Sequence, residues 1–271
     1  MDATARRDRL RALHAEGTFV LPNPFDRGSA RLLATMGFAA LATTSAGLAA
    51  TRGHLDMDVD RETLLAHVAD LAPATDLPLH VDAERGFADD PAGVAETVRL
   101  LAEAGAAGVS IEDWDPAAQE ITARDEAVAR VAAAADAAAD HGVVLTARCE
   151  DLLHGVDDLD DVVDRLVAYR DAGAEVVYAP GLVDLDAVRR VVEETATAVN
   201  VLLLPAGPTV ADLADAGVRR VSLGSALAQA AHGAAVEAAR AVQVRGALDP
   251  GGPRVPAALA AEAWAAGGDP A

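Results

Sequence analysis

The chain has 271 residues, with 22 Lys and Arg against 43 Asp and Glu for a net charge of -21. That acidity argues against nucleic acid or an anionic membrane as partner, because phosphate binding rests on clustered cations, so an anionic small molecule would need local Arg or Lys. The 52% hydrophobic content with only 3% aromatics suits helices packed on small-residue strands in one large domain, while the lone Cys149 and an N-terminus without an apolar leader point to a cytoplasmic protein without disulfides.

In chain order, residues 4 to 16 carry Leu10 and Leu13 among charged neighbours, an amphipathic helix ended by Gly17. A strand is expected at 18 to 21. Asp26 and Ser29 cap a helix to Met36, Gly37 stops it, and 38 to 43 reads as a second strand followed by a turn from Thr44 to Leu48. Helices near 61–72, 91–104, 122–141, 158–172, 184–196 and 209–216 then alternate with strands at 79–82, 108–111, 143–147, 175–179, 200–204 and 220–223. Several helices end in an Ala-Gly phrase that suits a tight αβ loop, as at Gly105, Gly173 and Gly217. Eight strands in strict alternation with helices predict an α/β fold of the closed (β/α)8 TIM barrel type over residues 1–248. No G-x-G-x-x-G opens a helix, so a dinucleotide-binding sheet has little support. Ala-rich helices are expected over 226–248 and 253–266, with a hinge at Asp249-Pro250-Gly251-Gly252-Pro253, making 249–271 a separate C-terminal element.

Barrel chemistry sits at the C-terminal ends of the strands. The third strand ends in Asp82 and Glu84, which share a face if strand geometry continues, the fourth in Glu112 and Asp113, and the fifth in Arg148 and Glu150. Crowded acids at the ends of buried strands cost free energy that a hard cation offsets. The loop from Arg52 to Asp58 could fold a further carboxylate over the same mouth. Asp58 or Asp60 reads instead as a helix cap, and the remaining histidines as surface or core residues without zinc spacing.

The phrases Pro22-Asn23-Pro24-Phe25-Asp26, Thr43 to Leu48, Gly53-His54-Leu55-Asp56, Val81 to Phe87, Ile111-Glu112-Asp113 and Ala147-Arg148-Cys149-Glu150 resemble, in order and spacing, the isocitrate lyase and phosphoenolpyruvate mutase superfamily. The resemblance implies a Mg²⁺-dependent barrel, with Mn²⁺ as the alternative ion, that handles the enolate of a small anionic 2-oxo acid. It implies that Asp56, Asp82, Glu84 and Glu112 surround the metal. Ser45 and the backbone of Gly47 and Leu48 would hold the 2-oxo carboxylate and enolate oxygen beside Asp82, with Arg148 facing the other negative group. It further implies a helix-swapped homo-oligomer, a dimer of dimers, with the C-terminal helix on a neighbouring subunit.

The K-[KR]-C-G-H segment of the classical lyases and the lysine lid of the mutases are both absent after the fourth strand, where the chain reads Trp114 to Ile121. Either an acid of this segment such as Glu120 moves protons, or the substrate needs no protonation from the lid. The reading is a lyase acting on a C–C bond beside a 2-oxo acid, with a P–C mutase or hydrolase as first alternative and a non-catalytic metabolite-binding barrel as second.

Overall fold

The computed structural model describes residues 1–265. Its strands are β1 (Phe19–Leu21), β2 (Leu41–Ala42), β3 (Leu79–Asp82), β4 (Gly108–Glu112), β5 (Trp114–Asp115), β6 (Glu120–Ile121), β7 (Val144–Arg148), β8 (Val176–Tyr178), β9 (Ala198–Leu202) and β10 (Arg220–Ser222). Eight of them form one sheet in the order β1-β10-β9-β8-β7-β4-β3-β2, and every pair is parallel. The two ends of the sheet meet where Ala42 N–H donates to the Pro22 carbonyl at 3.0 Å. This is the (β/α)8 barrel that the alternation predicts.

Two sets of side chains hold it together. The larger lies between sheet and helices, where Val81, Val109, Leu145, Val177, Val199 and Val221 face out from the strands against Leu101, Val131, Leu166 and Val188. Outward-facing positions alternate with interior ones along each strand. A smaller set closes the barrel bottom, where Leu10 of the first helix (Ala3–Leu13) packs with Leu21, Ala40, Val144 and Val176. Gly108 makes room for this plug, since a Cβ there would lie 2.8 Å from a Leu10 methyl. The same helix is anchored by Arg7, which donates to the carbonyls of Ala102 and His141 at 2.6 and 2.8 Å, the open ends of two barrel helices.

The structure differs from the sequence reading at two places. The stretch after β2, expected as a turn, is a helix (Ser45–Arg52). Gly47 sits inside it because a Cβ would approach the Thr44 methyl to 2.5 Å, so glycine serves close packing there. The segment after β4 folds into an antiparallel hairpin, β5 on β6, with Trp114 stacked on His154 at 3.4 Å. Within the single chain, the helix Ala257–Ala265 lies against the helix Arg27–Thr35, with Ala263 buried. Residue 266 of the expected 253–266 helix lies outside the described residues. The long helix Ala226–Arg245 buries only Ala228 and leaves Val236, Val242 and Val244 exposed.

Candidate active site

A cavity of about 190 Å³ opens at the C-terminal ends of the strands and runs into the barrel. Its mouth is lined by Thr44, Ser45, Ala46, Asp56, Asp82 and Arg148. The helix Ser45–Arg52 starts here. Ser45 N–H donates to Asp82 Oδ2 at 3.2 Å, and the amides of Ala46 and Gly47 fall in the first turn, where an α-helix supplies no acceptor. Such a helix start is a ready cradle for a carboxylate or an oxyanion. Leu48 does not share the role expected of it, because its N–H already donates to the Thr44 carbonyl at 3.0 Å and its side chain is buried. Gly47 is buried behind Ser45 and Ala46, and Ala46 is the cavity residue that the sequence reading passed over.

Arg148 is the electrostatic centre. Its guanidinium contacts Asp82 at 2.9 Å, Glu112 at 3.2 Å and Glu150 at 2.7 Å, and lies 5.1 Å from the centre of the Tyr178 ring. Burial disfavours its charge, but Glu150, Glu112 and Asp82 more than offset this and raise its pKa. Register explains the first contacts: β4 and β7 align Glu112 with Arg148, and β3 and β4 align Asp82 with Ser110 next door.

One cation does not neutralise this many acids. Glu84 is pushed up to about 8 by burial and then by the charges of Asp82 and Asp56, with Arg148 opposing. Glu112 is raised by burial and by Glu150, Asp82 and Glu84, again against Arg148. Asp56, open to solvent at the rim, is raised by partial withdrawal from water and by Asp82, while a hydrogen bond from Ser45 opposes the shift. Glu84 reaches this cluster by a different route from the one expected. β3 ends at Asp82, and Glu84 takes a left-handed φ of 48° in the following turn, so strand alternation does not govern it.

The donors are all carboxylate oxygens with excess negative charge, which fits a hard divalent cation. They are not gathered as a ready chelate. Among the described residues the one set of three potential ligand atoms within 4.8 Å is Asp113, Cys149 and Asp151, behind the mouth. There Asp113 already accepts from Tyr169 Oη at 2.6 Å and from Glu150 N–H at 2.8 Å, and burial raises the Cys149 thiol. At the mouth, Arg148 lies between Asp82 and Glu112 and contacts both.

Glu120 is not brought to this cavity. It pairs across the hairpin with Asp115, and its side chain is exposed. Besides Arg148, His80 and Arg220, the ionisable cavity residue that is not a carboxylate is Tyr178, whose hydroxyl is raised to about 12, chiefly by burial, and hydrogen-bonds Ser222. Strand alternation from Arg148 and its register partner could have located it.

Stability should report the acid excess. A carboxyl whose folded pKa lies above its ordinary value binds more protons folded than unfolded, so folding stability falls as pH rises across that interval. For Glu84 the interval runs from 4.5 to about 8. Cation-free protein is therefore expected to lose stability to denaturant as pH rises through this window, and saturating Mg²⁺ should flatten the decline. A flat cation-free profile would contradict the crowding.

A barrel with a helix start, clustered carboxylates and an arginine at its C-terminal mouth defines a class of enzyme-like site for small anionic acids. The chain belongs to the phosphoenolpyruvate phosphomutase family, which matches residues 10–243, and through it to the isocitrate lyase/phosphoenolpyruvate mutase superfamily. It is similar to a candidate lyase/mutase of known structure from Burkholderia cenocepacia, 48% identical with a TM-score of 0.93 and covering 98% of both chains. An oxaloacetate decarboxylase from Paraburkholderia xenovorans is 34% identical over 82% of this chain and 76% of its own. The structure of an oxaloacetate acetylhydrolase with its product oxalate superposes with a TM-score of 0.86 at 25% identity, over 96% of this chain and 94% of that one.

Proposed function

We propose that this protein is a divalent-metal-dependent lyase that makes or breaks a C–C bond next to a 2-oxo acid through an enolate. The observation that carries the reading is the meeting of the Ser45 helix start, Asp56, Asp82 and Arg148 in one cavity, with Glu112 held against Arg148 at 3.2 Å. Asp82 and Glu112, with Asp56 and Glu84 around them, would hold Mg²⁺, and the ion would supply positive charge where the carbonyl oxygen becomes an enolate oxygen. Arg148, at the same cavity, would face the negative group at the other end of the substrate. The amides of Ala46 and Gly47 orient the 2-oxo carboxylate. Tyr178, protonated at neutral pH, donates to the enolate or to the departing group.

Tyr178→Phe is therefore expected to lower turnover by about 100-fold, and Glu120→Gln to change it by less than about 3-fold. The reverse order in a steady-state assay would return proton transfer to the hairpin. P–C bond chemistry is the second reading, favoured by the family match. Comparing pyruvate release from oxaloacetate with the formation of pyruvate or phosphoenolpyruvate from phosphonopyruvate separates the two, with the first expected to be faster.

We also propose a homo-oligomer, a dimer of dimers, in which the exposed helix Ala226–Arg245 packs on a neighbouring subunit. Val236, Val242 and Val244 would then be covered. Replacing all three by Lys is expected to yield monomers in sedimentation, and a full-length protein that is monomeric without any change would contradict this.

A further inference from the structure

The interior of a (β/α)8 barrel is normally packed with branched apolar side chains. Here the cavity floor carries Arg220, 2% exposed, beside His80, Thr146, Asn200 and Ser222. Arg220 Nε donates to Asn200 Oδ1 at 2.9 Å, one Nη to Thr146 Oγ1 at 2.9 Å, and the other Nη faces His14 Nε2 at 3.3 Å. All three partners are neutral, since burial brings His14 down to about 3. Two of the five guanidinium N–H bonds are left over. Among the described residues no carboxylate pairs with Arg220, whereas Arg148 holds three. A buried charge without a counterion is costly, and the usual remedy is an anion. A second, independent sign lies on the same floor. His80, 2% exposed and lining the cavity, engages Thr146 through Nε2 at 3.0 Å and leaves its buried Nδ1 without any partner.

We propose that Arg220, Asn200 and His80 form a monoanion subsite at the floor of the cavity, sized for a single carboxylate and separate from the charge cluster around Arg148. The carboxylate is either one arm of the substrate or a free ion of the same chemistry. The inference rests on the 2-oxo acid reading of the mouth only for the first of these sources.

Formate is the probe, titrated calorimetrically into protein holding Mg²⁺, with oxalate titrated separately as the ligand of the mouth. Wild type is expected to bind formate saturably. Arg220→Met should weaken that binding by about 10- to 100-fold, the range for losing a charged hydrogen-bond partner. Asn200→Asp keeps the volume and gives Arg220 an internal carboxylate, so it should weaken formate as much while raising the melting temperature. That second variant serves if the first does not fold. Exclusion of formate by 2-oxoglutarate but not by oxalate assigns the subsite to a substrate arm, and binding alongside both assigns it to a resident ion. No saturable formate binding in wild type, or equal affinity in Asn200→Asp, overturns the subsite. Loss of oxalate binding in wild type instead overturns the reading of the mouth and leaves the floor to be judged on formate alone.

Discussion

Asp82→Ala is expected to lower turnover by about three orders of magnitude while leaving the barrel folded. The loss follows from the convergence on this carboxylate of Ser45 N–H at 3.2 Å and Arg148 at 2.9 Å, which places it between the helix start and the cation. Removing one preorganised group that stabilises developing charge typically costs about 10²–10³ in rate, and losing part of the metal site adds to it. The fold should survive because Asp82 is one of several acids repelling each other. Its removal relieves Glu84 and Glu112, both raised partly by its charge. Circular dichroism with a denaturant titration checks the fold, and an oxo acid assay checks the rate. Unchanged activity would remove Asp82 from the site.

Arg148→Met is expected to do the opposite to stability. Glu112 and Glu150 are buried, and Arg148 is the cation within 3.2 Å of both. Breaking a buried ion pair from one side typically costs about 3–5 kcal/mol, because the remaining charge has no compensation. The denaturation midpoint should fall accordingly at neutral pH, and part of the loss should return on lowering the pH, as Glu112 and Glu150 take up protons. A variant as stable as wild type would mean that these acids are already neutral and that Arg148 is held only by packing.

The barrel was legible in the sequence because each unit repeats the same physics, an apolar run, an Ala-Gly stop and a capped helix. β3 was bounded at 79–82 as found, and the helix Pro91–Ala104 likewise. The helix Ser45–Arg52 was not legible, since a glycine four residues past the expected strand end at Thr43 looks like a turn until Thr44 and Phe25 are seen crowding it. Asp82, Asp56, Ser45 and Arg148 could be placed at the mouth from strand ends and family phrases. The left-handed Glu84, and the insertion of Arg148 among three carboxylates, depend on tertiary geometry that spacing does not encode. Glu120 illustrates the converse. Its chemistry suited a lid, but a two-stranded hairpin turns it outward. Arg220 was within reach, because in β10 it shares a face with Ser222 and alternates with Val221, which faces the helices. Its lack of an acid partner became visible only with the fold.

The most direct test of a metal-dependent site for 2-oxo acids is calorimetric titration of oxalate, a mimic of the pyruvate enolate, into wild type and Asp82→Ala, each with Mg²⁺ and with EDTA. The account predicts binding to wild type with Mg²⁺ and a loss of at least about 100-fold both on chelation and in the variant. Oxalate binding of equal affinity in EDTA, or undiminished in Asp82→Ala, would contradict it.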